Sequence, residues 1–318
     1  MFNHNLTYII NHQLHKGIKS SFLKWAGGKK RLVGILDKLT PENIERYFEP
    51  FLGSGAFFFY LVQTKKKFKA ILSDSNFELI NTYKELRDNP NELIDILYEH
   101  QANYYKNREK YYYFIRDEYI TKNKTELAGK FIFLNKACYN GLYRVNRLGN
   151  FNVPHGRYIN PKICNKEKLI DCSDLLRIYD VTILCDVYRN IISQCENNDF
   201  IYLDPPYFPI SKTSNFTDYT KESFGLFEHN ELAKEFERLN KIGSKVILSN
   251  SNSDYIKSLY TNHEIIKIKS SRSINCDPKK RKDHYDLIIL NYNKKMKDKK
   301  IISKINNNLK TTNKIKQE

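Results

Sequence analysis

The 318 residues suffice for two domains at roughly 150 residues each, and a chain that is 41% hydrophobic and 14% aromatic is not a disordered one. No apolar run approaches the roughly 20 residues that span a bilayer, and the first twenty residues lack the apolar core and cleavage site of a secretory signal, so a cytoplasmic protein is expected. Lys and Arg number 53 against 36 Asp and Glu, a net charge of +17; this points to a polyanion such as nucleic acid, unless AT-rich coding alone supplied the lysines.

The first motif is Phe22-Leu23-Lys24-Trp25-Ala26-Gly27-Gly28-Lys29, which holds the only tryptophan. A ring wall beside a cation suits a ligand with a carboxylate; a core tryptophan is the plainer alternative. Next comes the apolar run ERYFEPF (45–51), a predicted strand that enters the glycine-rich turn of Phe48-Glu49-Pro50-Phe51-Leu52-Gly53-Ser54-Gly55 and then the helical GAFFFYLVQT. Glycine lets the backbone approach a ligand at a helix N-terminus, although a tight turn alone would also use it. A second predicted strand, KAILSD (69–74), ends on Asp74, about twenty residues on, where a carboxylate takes the ribose hydroxyls of a nucleoside cofactor. No GxxxxGK[ST] motif is present, which disfavours a phosphate-cradling nucleotidase.

After the helical NFELINTYKELRD, the strand–helix alternation stops between about Asp88 and Asp180. This interval is predicted as a mostly helical insertion that ends in a basic loop. Its longest acid-free stretch, Leu127 to Lys166, carries Lys130, Lys136, Arg144, Arg147, Arg157, Lys162 and Lys166, interleaved with Tyr139, Tyr143, Phe151 and Tyr158. Arginine offers a planar fork that matches guanine O6 and N7, and aromatic rings pack on sugars or fill gaps in a base stack. The charge is therefore concentrated where a base-reading surface needs it.

Alternation resumes with VTILCD (181–186), FIYLDPPY (200–207), the helical EHNELAKEFERLNKIG, KVILSN (245–250) and DLIILNY (286–292). A second basic stretch runs from Lys267 to Lys282, and a lysine-rich tail begins at Lys294. The pattern predicts an α/β sheet with helices on both faces. The predicted divisions are an N-terminal extension (1–20), a cofactor-binding part (21–87), an inserted recognition domain (88–179), a catalytic part (180–293) and the tail (294–318).

The sharpest motif is Asp204-Pro205-Pro206-Tyr207, at the carboxyl end of an apolar strand, where active residues of open α/β sheets gather. The prolines stiffen the turn and lack N–H groups, so local carbonyls face outward as acceptors. An exocyclic amino group on a base is a poor nucleophile because its lone pair is delocalised into the ring. Asp204 and the Pro205 carbonyl can accept its two hydrogens, and Tyr207 can stack on the base. The alternative is a strand-ending turn with incidental prolines.

FLKWAGGK, FEPFLGSG and DPPY in this order, with a basic insertion before the last, resemble the Dam-type DNA N6-adenine methyltransferases. YNGLYRVNRLGNFNVPHGRY resembles the recognition hairpin of the GATC-specific members, and SKTSNFTDYT and KSSRSI extend the likeness, which covers residues 21 to 292. The resemblance implies a Rossmann-like methyltransferase sheet with an inserted, mostly helical recognition domain, and S-adenosyl-L-methionine as methyl donor. It assigns Trp25, Lys29, Glu49, Gly53, Gly55, Asp74, Asp186 and Asp204 to the donor, with Asp204 between donor and target base. Lys24 would face the outer guanine of the site, Tyr139 and Asn140 the flipped adenine and its partner strand, and Leu142 and Pro154 thymine methyls. Arg144 would read a guanine, while Arg116 and Arg157 would hold phosphates. Val145 departs from the pattern, which often has an aromatic residue there.

These implications amount to a base-flipping adenine-N6 methyltransferase of double-stranded DNA, acting within GATC by direct transfer. Such transfer needs no cysteine nucleophile and no metal. Among Cys138, Cys164, Cys172, Cys185, Cys195 and Cys276 there is no CxxC pair and no finger spacing, which disfavours a zinc ribbon and stabilising disulfides. A monomer is expected, and a cognate restriction endonuclease would share the recognition site without physical contact. Two rival readings are methylation of RNA or of a protein glutamine, and a noncatalytic DNA-binding protein on the same fold. The acid-free hairpin disfavours a protein substrate, its resemblance to a DNA-reading hairpin disfavours RNA, and intact Asp74, Asp204 and Tyr207 disfavour the noncatalytic reading.

Overall fold

The computed structural model describes residues 21–25, 29, 32–210, 224–270 and 284–293. Its contacts divide the chain into two units, Met1–Val33 with Leu52–Val187, and Gly34–Phe51 with Tyr188–Glu318.

The first unit carries most of the helices. α2 (Ala56–Thr64) is apolar until its last two residues and buries Phe57, Phe58, Phe59, Leu61 and Val62, each contributing about 1.5–3 kcal/mol of burial. It leads to β2 (Lys69–Asp74). α3 (Phe77–Asp88) starts at Asn76, whose side chain accepts from the Leu79 amide at 3.0 Å and supplies one of the orphan donors' partners. α4 (Pro90–Lys106) places its proline in the first turn, where no N–H is missed. A short α5 (Arg108–Tyr113) runs into a π-helical turn (Phe114–Glu118). α6 (Lys124–Ala137) is capped by Asn123 and is buried over most of its second half. The segment 138–165 follows, then α7 (Lys166–Ile178) and β3 (Asp180–Cys185), which pairs in parallel with β2 from Lys69↔Asp180 to Asp74↔Cys185.

The second unit takes most of α1 (Val33–Leu39), then β1 (Arg46–Glu49), α8 (Tyr188–Ile192) and β4 (Phe200–Leu203). After them come α9 (Leu226–Lys241), β5 (Lys245–Ser251), α10 (Asp254–Leu259), β6 (Glu264–Ser270) and β7 (His284–Leu290). α9 buries His229, Leu232, Ala233, Phe236 and Leu239, the stripe of a helix with one covered face. β1 and β5 flank β4 in parallel, while β7 is antiparallel to both β5 and β6.

The strands form one seven-stranded sheet in the order β3-β2-β1-β4-β5-β7-β6. Its parallel part has the doubly wound order, with β7 intruding antiparallel near one edge, consistent with a Rossmann-like methyltransferase fold. The order reverses between β1 and β4, and ligands of such sheets bind outside the carboxyl ends at that point. Glu49 ends β1, and Asp204 directly follows β4.

The sequence implied six strands; the described residues contain a seventh, β6, inside what reads as a basic stretch. Its Lys267 is exposed while Ile268 is buried, an alternation that the surrounding charge obscures. α7 was also not foreseen. Two expected family segments, SKTSNFTDYT and most of KSSRSI, lie outside the described residues, as do the N-terminal extension and the tail.

Candidate active site and DNA-reading segment

In the second unit, Tyr47 and Glu49 lie two apart on β1 and so share a face. The Tyr47 hydroxyl donates to Glu49 Oε2 at 2.8 Å, and the Glu49 side chain is buried. On β4 the fully buried Tyr202 likewise precedes Asp204 by two residues. Asp204 accepts at Oδ1 from the Ser249 hydroxyl at 2.5 Å, and Ser249 is 3.2 Å from the Tyr202 hydroxyl. Burial drives the tyrosine hydroxyls well above their ordinary range: for Tyr47 the Glu49 charge adds to it, and for Tyr202 the Asp204 charge does. Both tyrosines therefore stay neutral donors.

The turn after Asp204 is fixed from β5. The Phe208 amide donates to Asn250 Oδ1 at 3.0 Å, and the Ser251 hydroxyl donates to the Phe208 carbonyl at 2.6 Å. Pro205 is buried and Pro206 exposed, with Tyr207 half-buried beside them. The Phe208 ring packs on Tyr255 at 4.6 Å and edge-on to His229 at 5.6 Å. Ser249 and Asn250, which hold this turn, are not among the candidate residues that the sequence points to. Their signal was weak: polar residues at the end of an otherwise apolar strand.

In the first unit, Asp74 ends β2 with both carboxylate oxygens engaged by backbone. Oδ2 accepts from the Gly53 amide and Oδ1 from the Asn76 amide, both at 3.0 Å. Burial pushes the Asp74 carboxyl up from its ordinary range, against the pull of these amides. The Asp186 amide reaches the Asp74 carbonyl at 3.3 Å, and the Asp186 side chain caps the Val187 amide. Gly53 has a left-handed φ of 48°, and a Cβ there would lie 2.9 Å from the Trp25 indole. Only glycine permits this close cradle. Gly55 is also left-handed, at 62°, and opens α2. Lys29 is buried, its carbonyl accepting from the Leu32 amide at 2.7 Å.

Trp25 joins this turn to the segment from Tyr139 to Tyr158. Its ring stacks on Tyr143 at 5.7 Å, and Tyr143 donates to Glu78 Oε2 at 2.8 Å. Lys24 is clamped to Asn135 of α6: its amide donates to Oδ1 at 2.9 Å and its carbonyl accepts from Nδ2 at 2.5 Å. The Lys24 ammonium lies 4.3 Å from the Tyr158 ring centroid. Gly141 packs against the Lys24 stem so closely that a Cβ would fall 2.5 Å from it.

The segment from Tyr139 to Tyr158 is a hairpin. Cys138 bridges His155, Val145 bridges Phe151, and the Tyr139 amide donates to the Pro154 carbonyl at 2.9 Å. Tyr139, Asn140, Leu142, Pro154 and Arg157 are all exposed on it. Asn140 and Arg157 both hold left-handed φ values of 54°, an unusual conformation for residues with side chains. The exposed Arg144 points its Nε at Asn152 Oδ1 (2.7 Å) and Nη2 at the Asn152 carbonyl (3.3 Å). Arg116 lies off the hairpin, with its guanidinium forked onto Asp117 and donating to the Val153 carbonyl at 3.1 Å.

The model of one family, described as D12 class N6 adenine-specific DNA methyltransferase, matches residues 25–274. The chain belongs to this family. Among its relatives, "Type II methyltransferase M.MjaIII" of Methanocaldococcus jannaschii is 42% identical over 287 residues, covering 85% of this chain and 98% of the relative. "Type II methyltransferase M1.LlaDCHI" of Lactococcus lactis subsp. cremoris is 38% identical over 276 residues, covering 85% and 95%. A "DNA adenine methylase" of Serratia marcescens is 33% identical over 258 residues, covering 80% and 92%. The Dam-type resemblance is thereby supported. Members of the D12 class depend on S-adenosyl-L-methionine. The ionisable Asp74 at a strand end and the Gly53 cradle fit the nucleoside of that donor. Among the described residues no cluster of His, Cys, Asp and Glu could hold a metal, and no helix is long and apolar enough to cross a membrane.

Proposed function

We propose that this chain methylates N6 of adenine within GATC in double-stranded DNA, on a base turned out of the helix. The observation that carries the reading is the Asp204 carboxylate, held by Ser249 at the end of β4 and followed at once by two prolines. Asp204 and the Pro205 carbonyl accept the two amino hydrogens and bend the nitrogen towards tetrahedral geometry. Pro206 stiffens the turn, and Tyr207 stacks on the base. The amino group is otherwise buried in pairing and stacking, so the base must leave the duplex. S-adenosyl-L-methionine supplies the methyl group, carried on a sulfonium. Trp25, Lys29, Glu49, Gly53, Gly55, Asp74 and Asp186 bind and orient that donor. Transfer would form one N–C bond as the donor's sulfur–methyl bond breaks, leaving S-adenosylhomocysteine as a neutral thioether, and the nitrogen would give up one proton on the side of Asp204.

Lys24 and Arg144 face guanines, Tyr139 and Asn140 contact the duplex at the displaced adenine, and Leu142 and Pro154 meet thymine methyls. Arg116 and Arg157 hold phosphates. For Arg116, whose fork is shared with Asp117, the two N–H groups left over would serve. The recognition domain is the interval 88–179 between the cofactor-binding and catalytic parts. The enzyme works as a cytoplasmic monomer. A cognate restriction endonuclease would share the recognition site without physical contact.

Single-molecule sequencing of DNA from cells that express the chain tests this reading. N6-methyladenine in GATC is expected. A different motif overturns the site, and unmodified DNA overturns the substrate. Tritium transfer to duplex DNA, RNA and protein side by side separates the substrate classes.

A further inference from the structure

We infer that Ser249, backed by Tyr202, is the positioning residue that sets the plane of the Asp204 carboxylate for the target amino group. This inference rests on Asp204 being the amino acceptor.

The geometry is a short chain of hydroxyls beneath the catalytic turn. Leu203 pairs with Leu248 in the β4–β5 register, so Ser249 lies level with Asp204 on the neighbouring strand. The 2.5 Å contact is in the range of a hydroxyl donating to an ionised oxygen, the strong class of hydrogen bond. Serine has one proton, and this contact uses it. The Tyr202 hydroxyl, 3.2 Å from Ser249 Oγ, must therefore be the donor in its own contact. The order is fixed: Tyr202 donates to Ser249, and Ser249 donates to Asp204. Ser249 and Tyr202 are both buried, so no bulk water replaces either link, and each bond polarises the next.

The carboxyl torsion of aspartate is intrinsically broad. With Oδ1 held, the carboxylate plane is fixed and the other oxygen has one direction. Preorganised acceptors of this kind act where charge develops and need no reorganisation at the moment of transfer. Ser249 touches neither base nor donor in this scheme. Its effect passes through Asp204 and belongs to the chemical step.

Ser249→Ala is expected to lower kcat by roughly 10–100-fold while leaving KM for DNA and for S-adenosyl-L-methionine within about threefold, the signature of an interaction realised in the transition state. Ser249→Thr, which keeps the hydroxyl, should recover most of the loss. Tyr202→Phe keeps the ring and removes only the first donor, so a drop of about two- to fivefold is expected. In the Ser249→Ala/Tyr202→Phe double variant the losses should not multiply, because the chain is already broken at Ser249. The proposal is overturned if Ser249→Ala keeps kcat within about twofold, or if its loss appears in KM alone. It is also overturned if the two losses multiply. If Ser249→Ala does not fold, Tyr202→Phe decides alone: full kcat overturns the relay. Asp204→Ala distinguishes the two levels. An active Asp204→Ala removes the underlying reading, whereas an inactive one beside a fully active Ser249→Ala removes only the role of Ser249.

Discussion

At the scale of single residues, the two carboxylates to which the proposed reading assigns the chemistry differ in how they are held. Asp204 takes a side-chain hydroxyl, whereas Asp74 takes two backbone amides. Asp204→Ala should abolish methyl transfer and leave DNA affinity within a few fold, because its hydrogen bonds matter where charge develops on the amine. A filter-binding assay beside tritium transfer checks both halves. Asp74→Ala should weaken S-adenosyl-L-methionine by roughly 10–100-fold, on the order of 1.5–3 kcal/mol for hydrogen bonds to a charged acceptor. Calorimetry that finds unchanged affinity would place the ribose elsewhere. The raised Asp74 carboxyl adds a pH dependence whose sign is set. The ionised form accepts from ribose hydroxyls, so donor affinity falls as the pH falls through the raised value. That fall should begin at a higher pH than for an exposed aspartate, and Asp74→Asn should flatten it. Both carboxylates were legible in the sequence because each ends an apolar strand. Ser249 was not, since nothing in a linear string tells which strand lies beside β4.

At the scale of elements, the hairpin is where the proposed reading meets an observed brace. Arg144 and Asn152 face each other across it: the Asn152 amide donates to the Arg144 carbonyl at 3.0 Å, and Asn152 returns two acceptors to the guanidinium. Two of the five N–H groups of Arg144 are thus used for bracing, and three are left, enough for a bidentate guanine contact. Such a contact gives about 1–3 kcal/mol of discrimination. Arg144→Ala should therefore flatten preference at one guanine and spare activity on the adenine itself. Rates on GATC and on each single-base variant decide: a uniform fall at every site would make Arg144 a brace alone. Periodicity made most elements legible, with β2 matching KAILSD residue for residue. β6 was hidden because it lies at the sheet edge, where lysines blunt pairing with another chain and break the apolar pattern. α7 was hidden because Cys172 and Ser173 occupy part of its buried face.

At the scale of the whole molecule, the charge of +17 has to be divided between holding DNA and choosing a site. Phosphate contacts release counterions and bind all sequences alike, while base contacts discriminate. The proposed reading assigns Arg157 to the first kind on its position. It is exposed near the foot of the hairpin, and its left-handed φ of 54° carries the chain out of the bridge between Cys138 and His155. Among the described residues it has no shape-matched partner such as Asn152 to aim it at a base edge. Arg157→Ala should weaken binding to specific and nonspecific duplexes by the same factor. It should also lower the slope of log affinity against log salt by about one, the contribution of a single neutralised phosphate. Arg144→Ala should leave more of that slope intact while it erodes the ratio between GATC and its variants. Titrations at several salt concentrations, on GATC and on a scrambled duplex, separate the two. If Arg157→Ala instead changes the ratio and keeps the slope, Arg157 reads sequence, and the division of charge between the two arginines is reversed.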